Sequence, residues 1–214
     1  MENLIYVLFL CIVTPMLLLI LLTKKKSKLI TGYMVIGIAS ALFISELNNI
    51  VLSYLGNDSY FVSTTLTPIT EEIIKALPVL FFAYMFYDNL EILLPLSFST
   101  GIGFALFENM VLLLKMNTDM PIELAAVRGL ATALMHGVCT AAVGLGMSYV
   151  KKKKELFYCG TLGLLIIAIL YHGLYNMLVQ SSLSVLGFIL PVITYIPLLL
   201  RQYNYIKTKK TPDK

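Results

Sequence analysis

The residues of this chain that can do chemistry stand where charge is costly. Glu71, Glu72 and Lys75, Glu108, Arg128 and His136, and His172 with Asn176 all lie inside strongly apolar stretches. An ionisable side chain within a membrane span costs at least about 2.5–3.5 kcal/mol on insertion scales, so each such group needs a partner or a function. Two reactions suit this set. In one, a carboxylate takes a proton from water, which attacks an amide carbonyl while His172 and Asn176 donate hydrogen bonds to the oxyanion. In the other, Glu and His side chains hold Zn²⁺, which acidifies a bound water and polarises the carbonyl, and a remaining Glu is the base. Both hydrolyse a peptide inside the membrane, and both need water. Counting Glu46, Glu71, Glu72 and Glu108 against Lys75 and Arg128 leaves a formal −2. Such an excess calls for retained protons, a charged imidazole or a divalent cation.

The elements that must position these groups follow from composition. Of 214 residues, 58% are hydrophobic and 13% charged, with a mean hydropathy of +0.85. Soluble domains run near 45–50% apolar and about 25% charged, so a water-soluble globule or nucleic-acid-binding domain is excluded. The excess falls into runs of membrane-crossing length, giving an all-α, polytopic protein with seven spans at about 4–22, 29–54, 67–87, 90–114, 124–150, 156–180 and 183–201. The run from Leu4 to Leu22 lacks a basic start and a small-residue cleavage site, so it is expected to be a retained helix. Cys11, Cys139 and Cys159 stand singly, without the spacing of a thiolate metal site or a disulfide framework.

Lysines set the expected orientation. Lys24–Lys26 and Lys28 follow span 1, Lys151–Lys154 follow span 5, and Arg201, Lys207, Lys209, Lys210 and Lys214 follow span 7. All fall on one side if the N-terminus is outside and the C-terminus cytoplasmic. The +4 net charge then reflects topology, and the basic tail at 202–214 needs no nucleic-acid partner; a weak attraction to anionic membrane lipid is the most it implies. On this path Glu72 lies roughly 8 Å, Glu108 roughly 9 Å, His172 roughly 12 Å and His136 roughly 14–20 Å below the outer surface. Four helices bring Glu, Glu, His and His to the outer half of the bilayer, although the path was fixed by loop charges alone.

Spacing supports this convergence. Glu71 and Lys75, Phe104 and Glu108, and His172 and Asn176 are each i,i+4 pairs, so each pair shares a helix face and the first can form an ion pair. Gly101, Gly103, Gly137, Gly144, Gly146 and Gly173 put small residues near these groups and permit close helix approach.

The strings TEEIIKALPVL (70–80), GFALFENMVLL (103–113), VRGLATALMHG (127–137) and YHGLYNMLV (171–179) resemble the EExxK, FxxxE, His and HGxY[D/N] motifs of the PrsW family of intramembrane proteases, relatives of the CAAX-processing and bacteriocin-processing membrane endopeptidases. The resemblance covers spans 3 to 6. It implies site-1 cleavage of a single-pass, membrane-anchored anti-sigma factor on its extracytoplasmic side, in a bacterial cell membrane. It also implies catalytic roles for Glu71, Glu72, Glu108, His136, His172 and Asn176. Glu71 is the first choice as water-activating base and Glu72 the second, and His172 and Asn176 resemble an oxyanion-hole pair. Lys75, Phe104 and Arg128 support them. Asn176 departs from the aspartate expected in PrsW itself, keeping a donor and losing a charge. Were the enzyme metal-dependent, zinc would come from Glu72, Glu108, His136 and His172; a glutamate-type enzyme would need no cofactor.

Plainer readings accompany each residue. Glu71, Glu72 and Lys75 can be a buried ion pair fixing helix packing, Glu108 a partner of Lys75 or Arg128, and His136 an interhelical hydrogen-bonding group. Arg128 reads as charge balance for the carboxylates, and Glu46, Asn48 and Asn49 as packing or supporting groups. Outside the PrsW-like reading stand a CAAX-like or bacteriocin-processing protease, a proton- or cation-coupled transporter, and a non-catalytic scaffold. A transporter fits poorly, because no inverted repeat or paired broken helices are seen. The chain reads as one transmembrane domain over 1–214, with its catalytic core at about 67–180.

Overall fold

The computed structural model describes residues 14–15, 27–55, 59–115 and 121–210, all helix and short connections, with no strand among the described residues. The expected first span, 4–22, lies outside the described residues apart from 14–15. The elements in chain order are α1 (Ser27–Leu55), α2 (Ser59–Phe61), a π-turn (Val62–Leu66), α3 (Thr67–Met85), α4 (Leu90–Lys115), α5 (Ile122–Val127), a second π-turn (Arg128–Thr132), α6 (Ala133–Met147), α7 (Lys154–Val179) and α8 (Ser184–Lys210).

Five stretches are long and apolar enough to cross a membrane: Ser27–Tyr54, Leu90–Leu113, Ile122–Met147, Lys154–Val179 and Ser184–Arg201. They correspond to expected spans 2, 4, 5, 6 and 7. The expected third span is α3, whose 19 residues give a rod of roughly 28 Å. Glu71, Glu72 and Lys75 within it break its apolar character and keep it apart from the other five. Pro68 sits at the start of α3, where its missing N–H costs nothing. Pro78, further along, has no N–H to offer the helix, and its own carbonyl accepts a hydrogen bond from the Tyr33 hydroxyl of α1 at 3.1 Å.

Helices α4 and α6 form the buried centre. Phe98, Ile102 and Ala105 of α4 and Ala133, Met135 and Ala141 of α6 are fully enclosed. The outer faces are apolar as well: Val35, Leu42 and Phe43 on α1 and Leu162, Ile166, Ile167 and Leu170 on α7 are exposed, as suits a bundle whose solvent is lipid. Without a hydrophobic drive between helices in lipid, close approach depends on small residues. A Cβ at Gly101 would run into the His136 carbonyl of α6, and one at Gly103 into the Met34 carbonyl of α1. Gly101 therefore sets how near α4 lies to the very residue of α6 that bears a candidate imidazole.

Gly101→Ala is expected to lower stability by about 1–3 kcal/mol, the usual scale of overpacking. Gly32→Ala, where a Cβ meets nothing within 4 Å, should be neutral. Thermal unfolding of the two purified variants in detergent checks this; equal melting of both would refute the packing argument.

Candidate active site

Helix α3 turns Glu71, Glu72 and Lys75 into the bundle, where Lys75 is 0% exposed. Its ammonium bonds Glu72 Oε1 at 2.7 Å. The ion pair is thus Glu72–Lys75, three residues apart, and not the Glu71–Lys75 pair that the sequence suggested. Both spacings share a helix face, and the choice is made by the neighbours: Glu72 also meets His172 Nδ1 of α7 at 2.8 Å, while Glu71 turns toward the two imidazoles. Lys75 Nζ reaches across to His136 Nδ1 of α6 at 2.8 Å and lies 4.8 Å from the Phe104 ring centroid, within cation–π range.

These contacts fix the histidine tautomers. An ammonium only donates, so His136 Nδ1 accepts, and its Nε2 carries the hydrogen that Glu108 Oε2 receives at 2.8 Å. Glu72 accepts from His172 Nδ1, leaving a lone pair on Nε2. Each imidazole therefore has one nitrogen braced by a carboxylate and the other facing inward. The inward atoms, His136 Nδ1 and His172 Nε2, each lie 3.9 Å from Glu71 Oε2. That oxygen is buried and has no hydrogen-bond partner among the described residues, and the same holds for Glu72 Oε2.

Glu108 is held from behind. Its Oε1 pairs with Arg128 Nη2, Arg128 Nε donates to Asn109 Oδ1 at 3.0 Å, and Asn109 Nδ2 donates to the Arg128 carbonyl at 3.2 Å. Arg128 thus balances a carboxylate, as its charge suggested. Asn109, fully buried, was missed in the sequence, although a carboxamide beside Glu108 in an apolar span was a usable signal. Arg128 opens one π-turn, and π-turns recur at functional sites.

The other π-turn meets α7. Asn176 Nδ2 donates to the Ser63 carbonyl at 2.8 Å, and a Cβ at Gly173 would lie 2.8 Å from the Thr64 carbonyl oxygen. His172 and Asn176 do share a face of α7, but one reaches the carboxylates and the other the π-turn. Asn48 makes a 3.4 Å contact to Thr67 Oγ1, Glu46 is exposed, and the side chain of Asn49 lies outside the described residues. Without Glu46, the cluster of buried Glu71, Glu72 and Lys75 with part-buried Glu108 and Arg128 carries a formal −1, not −2.

A cleft of about 270 Å³ leads in between α1, the first π-turn, α3 and α4. Its walls are mainly apolar, with Ile44, Val62, Phe104 and Phe107, and are dotted with Ser45, Asn48, Ser63 and Thr67. Glu71 and Glu108 line it; Glu72 does not. The donor atoms that face one another belong to Glu71, His136 and His172, which lie within 4.8 Å of one another and can hold a metal ion. The sequence had put forward Glu72 and Glu108 alongside the histidines. In the structure those two brace the far sides of the rings, as carboxylates commonly do behind metal-bound histidines.

No curated protein and no solved structure matches the chain. Residues 25–201 match the model of the PrsW-protease family, described as PrsW family intramembrane metalloprotease. This stretch takes in every charged and imidazole group of the cluster, and the chain belongs to that family: it is an intramembrane protease, a peptide hydrolase.

Proposed function

We propose that Glu71 is the water-activating carboxylate of this protease and that it cleaves a single-pass membrane protein resembling an anti-sigma factor near its extracytoplasmic boundary. The observation that carries the reading is the convergence of two carboxylate-braced imidazoles on one unpaired oxygen, Glu71 Oε2, in the wall of an open cleft. Of the three carboxylates in the cluster, Glu108, the one partly exposed, is tied through both oxygens to Arg128 and His136. Glu72 is tied twice through Oε1 and stands off the cleft.

The residues present fit a divalent metal. Glu71 Oε2 is a buried oxygen awaiting a partner, His172 Nε2 and His136 Nδ1 bear lone pairs, and the opposite nitrogens are braced. Glu71, His136 and His172 would hold it. A metal such as zinc, when bound, lowers the pKa of water and polarises a carbonyl. The chain's own groups do the rest. A carboxylate has two oxygens, so Glu71 can hold a metal by one and take the proton of water on the other. The water oxygen joins the peptide carbonyl carbon, the C–N bond breaks, and the proton passes to the departing amine. Asn176 gives one amide N–H to Ser63 and retains a second for the oxyanion.

The cleft constrains the substrate. Ser45, Asn48 and Thr67 in its wall offer hydrogen-bond partners to the backbone groups of a scissile segment that unwinds there. Seven spans with an outside N-terminus and a cytoplasmic basic tail, in a bacterial cell membrane, place this cleft in the outer half of the bilayer. The lysine clusters at 24–28, 151–154 and 207–214 support that orientation.

Three outcomes follow. Glu71→Gln, co-expressed with single-pass anti-sigma candidates, should cut cleavage by about 10²–10⁴-fold, the usual worth of a positioned proton acceptor; cleavage at the wild-type rate would sink the assignment. Purified enzyme stripped by a chelator should lose activity and regain it with zinc, and full activity after verified metal removal would refute the metal set. Asn109→Leu, which leaves the Arg128 guanidinium short of an acceptor, should cost about 1–3 kcal/mol of stability, measurable by thermal unfolding.

A further inference from the structure

We infer that Lys75 is a built-in competitor for the metal site: its ammonium occupies the lone pair of His136 that a divalent ion needs, and it must withdraw for the ion to bind. The inference rests on the proposed ligand set of Glu71, His136 and His172. An imidazole nitrogen has one in-plane lone pair pointing one way. On His136 the inward nitrogen is Nδ1, 3.9 Å from Glu71 Oε2, and Lys75 Nζ already sits on it at 2.8 Å. A zinc–imidazole bond of about 2.0–2.1 Å would lie along that same direction, so the two cations exclude one another. Lys75 is held there by Glu72 Oε1 at 2.7 Å and by the face of Phe104.

A place to withdraw to is also present. Glu72 Oε2 is buried and unpartnered among the described residues, an arrangement that costs free energy unless another state uses it. An ammonium that leaves His136 can take that oxygen while keeping its salt bridge to Glu72. The cluster thus has two settings. In one, Lys75 bridges Glu72 and His136, and Glu71 Oε2 is orphaned. In the other, Lys75 belongs to Glu72 alone, and Glu71, His136 and His172 share the divalent ion. Electrostatics works in the same direction, since an ammonium next to a divalent ion is repelled in a site with little water. Lys75 therefore lowers metal affinity while supplying the Glu72 carboxylate with its counter-charge in the metal-free bundle.

The test is Zn²⁺ binding to full-length, metal-stripped protein in detergent, by competition with a chelator of known affinity, alongside thermal unfolding without metal. Lys75→Met should bind zinc tighter than wild type by about tenfold or more and unfold at a lower temperature when metal-free. A merely structural lysine would, when removed, weaken both. The Glu72→Gln/Lys75→Met double variant keeps an amide oxygen for His172 and removes the Glu72 carboxylate together with its ammonium, leaving the net charge of the cluster unchanged, so it reads out affinity where the single variant fails to fold; it too should bind tighter than Glu72→Gln alone. Zinc bound equally or more weakly after loss of Lys75 overturns the inference and leaves the ligand set standing. Zinc bound by none of the proteins overturns the ligand set and the inference with it.

Discussion

The structure depends on keeping charge neutralised away from water. Two carboxylates, an ammonium and two imidazoles share the interior of one helical bundle, with the Glu108 carboxylate and the Arg128 guanidinium part-buried at its edge, and none of the buried groups could stay there alone. The solution is a continuous chain of contacts: Asn109 to Arg128, Arg128 to Glu108, Glu108 to His136, His136 to Lys75, Lys75 to Glu72 and Glu72 to His172. Donors and acceptors alternate along it, and it stitches α4, the second π-turn, α6, α3 and α7 together. Its weak points are the two carboxylate oxygens left over. Glu71 Oε2 and Glu72 Oε2 have no hydrogen-bond partner among the described residues, so they are the oxygens of the network open to a further partner.

Such a network tolerates little displacement, because a hydrogen bond at 2.8 Å is lost over less than an ångström of movement. Helix spacing is therefore part of the chemistry. Gly101 lets α4 approach the backbone of His136 itself, and Gly103, on another face of the same turn, lets α4 approach α1. Phe104 lies between these constraints, with its ring 5.1 Å from that of His136 and under the Lys75 ammonium. It fills the space beside the imidazole and keeps water from the ion pair on that side. The FxxxE spacing thus places a packing ring and a bracing carboxylate on the same imidazole.

Much of this was legible in the sequence, because charge in an apolar run has few innocent explanations. Five of the expected spans coincide with apolar helices, and the residues singled out in spans 3 to 6 meet around one cluster, with Asn176 a turn away from it. What the sequence did not carry was the direction of each side chain. Glu71 and Glu72 are neighbours with identical chemistry, and only the positions of His172 and Lys75 decide which becomes the ion-pair partner. The same ambiguity exchanged Glu71 for Glu72 and Glu108 in the ligand set, since spacing cannot tell a group that faces another from one that stands behind it. Glu46 was counted with the cluster on depth alone, whereas its side of α1 faces outward. The π-turns were invisible, because no residue type signals one.

Residue 176 shows how one such turn and one residue type depend on each other. The resemblance led to an aspartate there, and the chain has asparagine. An ionised aspartate has no N–H and would set its charge against the Ser63 carbonyl, where Asn176 Nδ2 donates a 2.8 Å hydrogen bond. The π-turn at Val62–Leu66 forms one wall of the cleft, and its Ser63 carbonyl takes this bond from a neighbouring helix. Asparagine is therefore the form of this position that can hold the cleft wall and, through the same face of α7, keep His172 aligned with Glu72. The departure from the family pattern is local to the wall, and the charged centre next to it is unchanged.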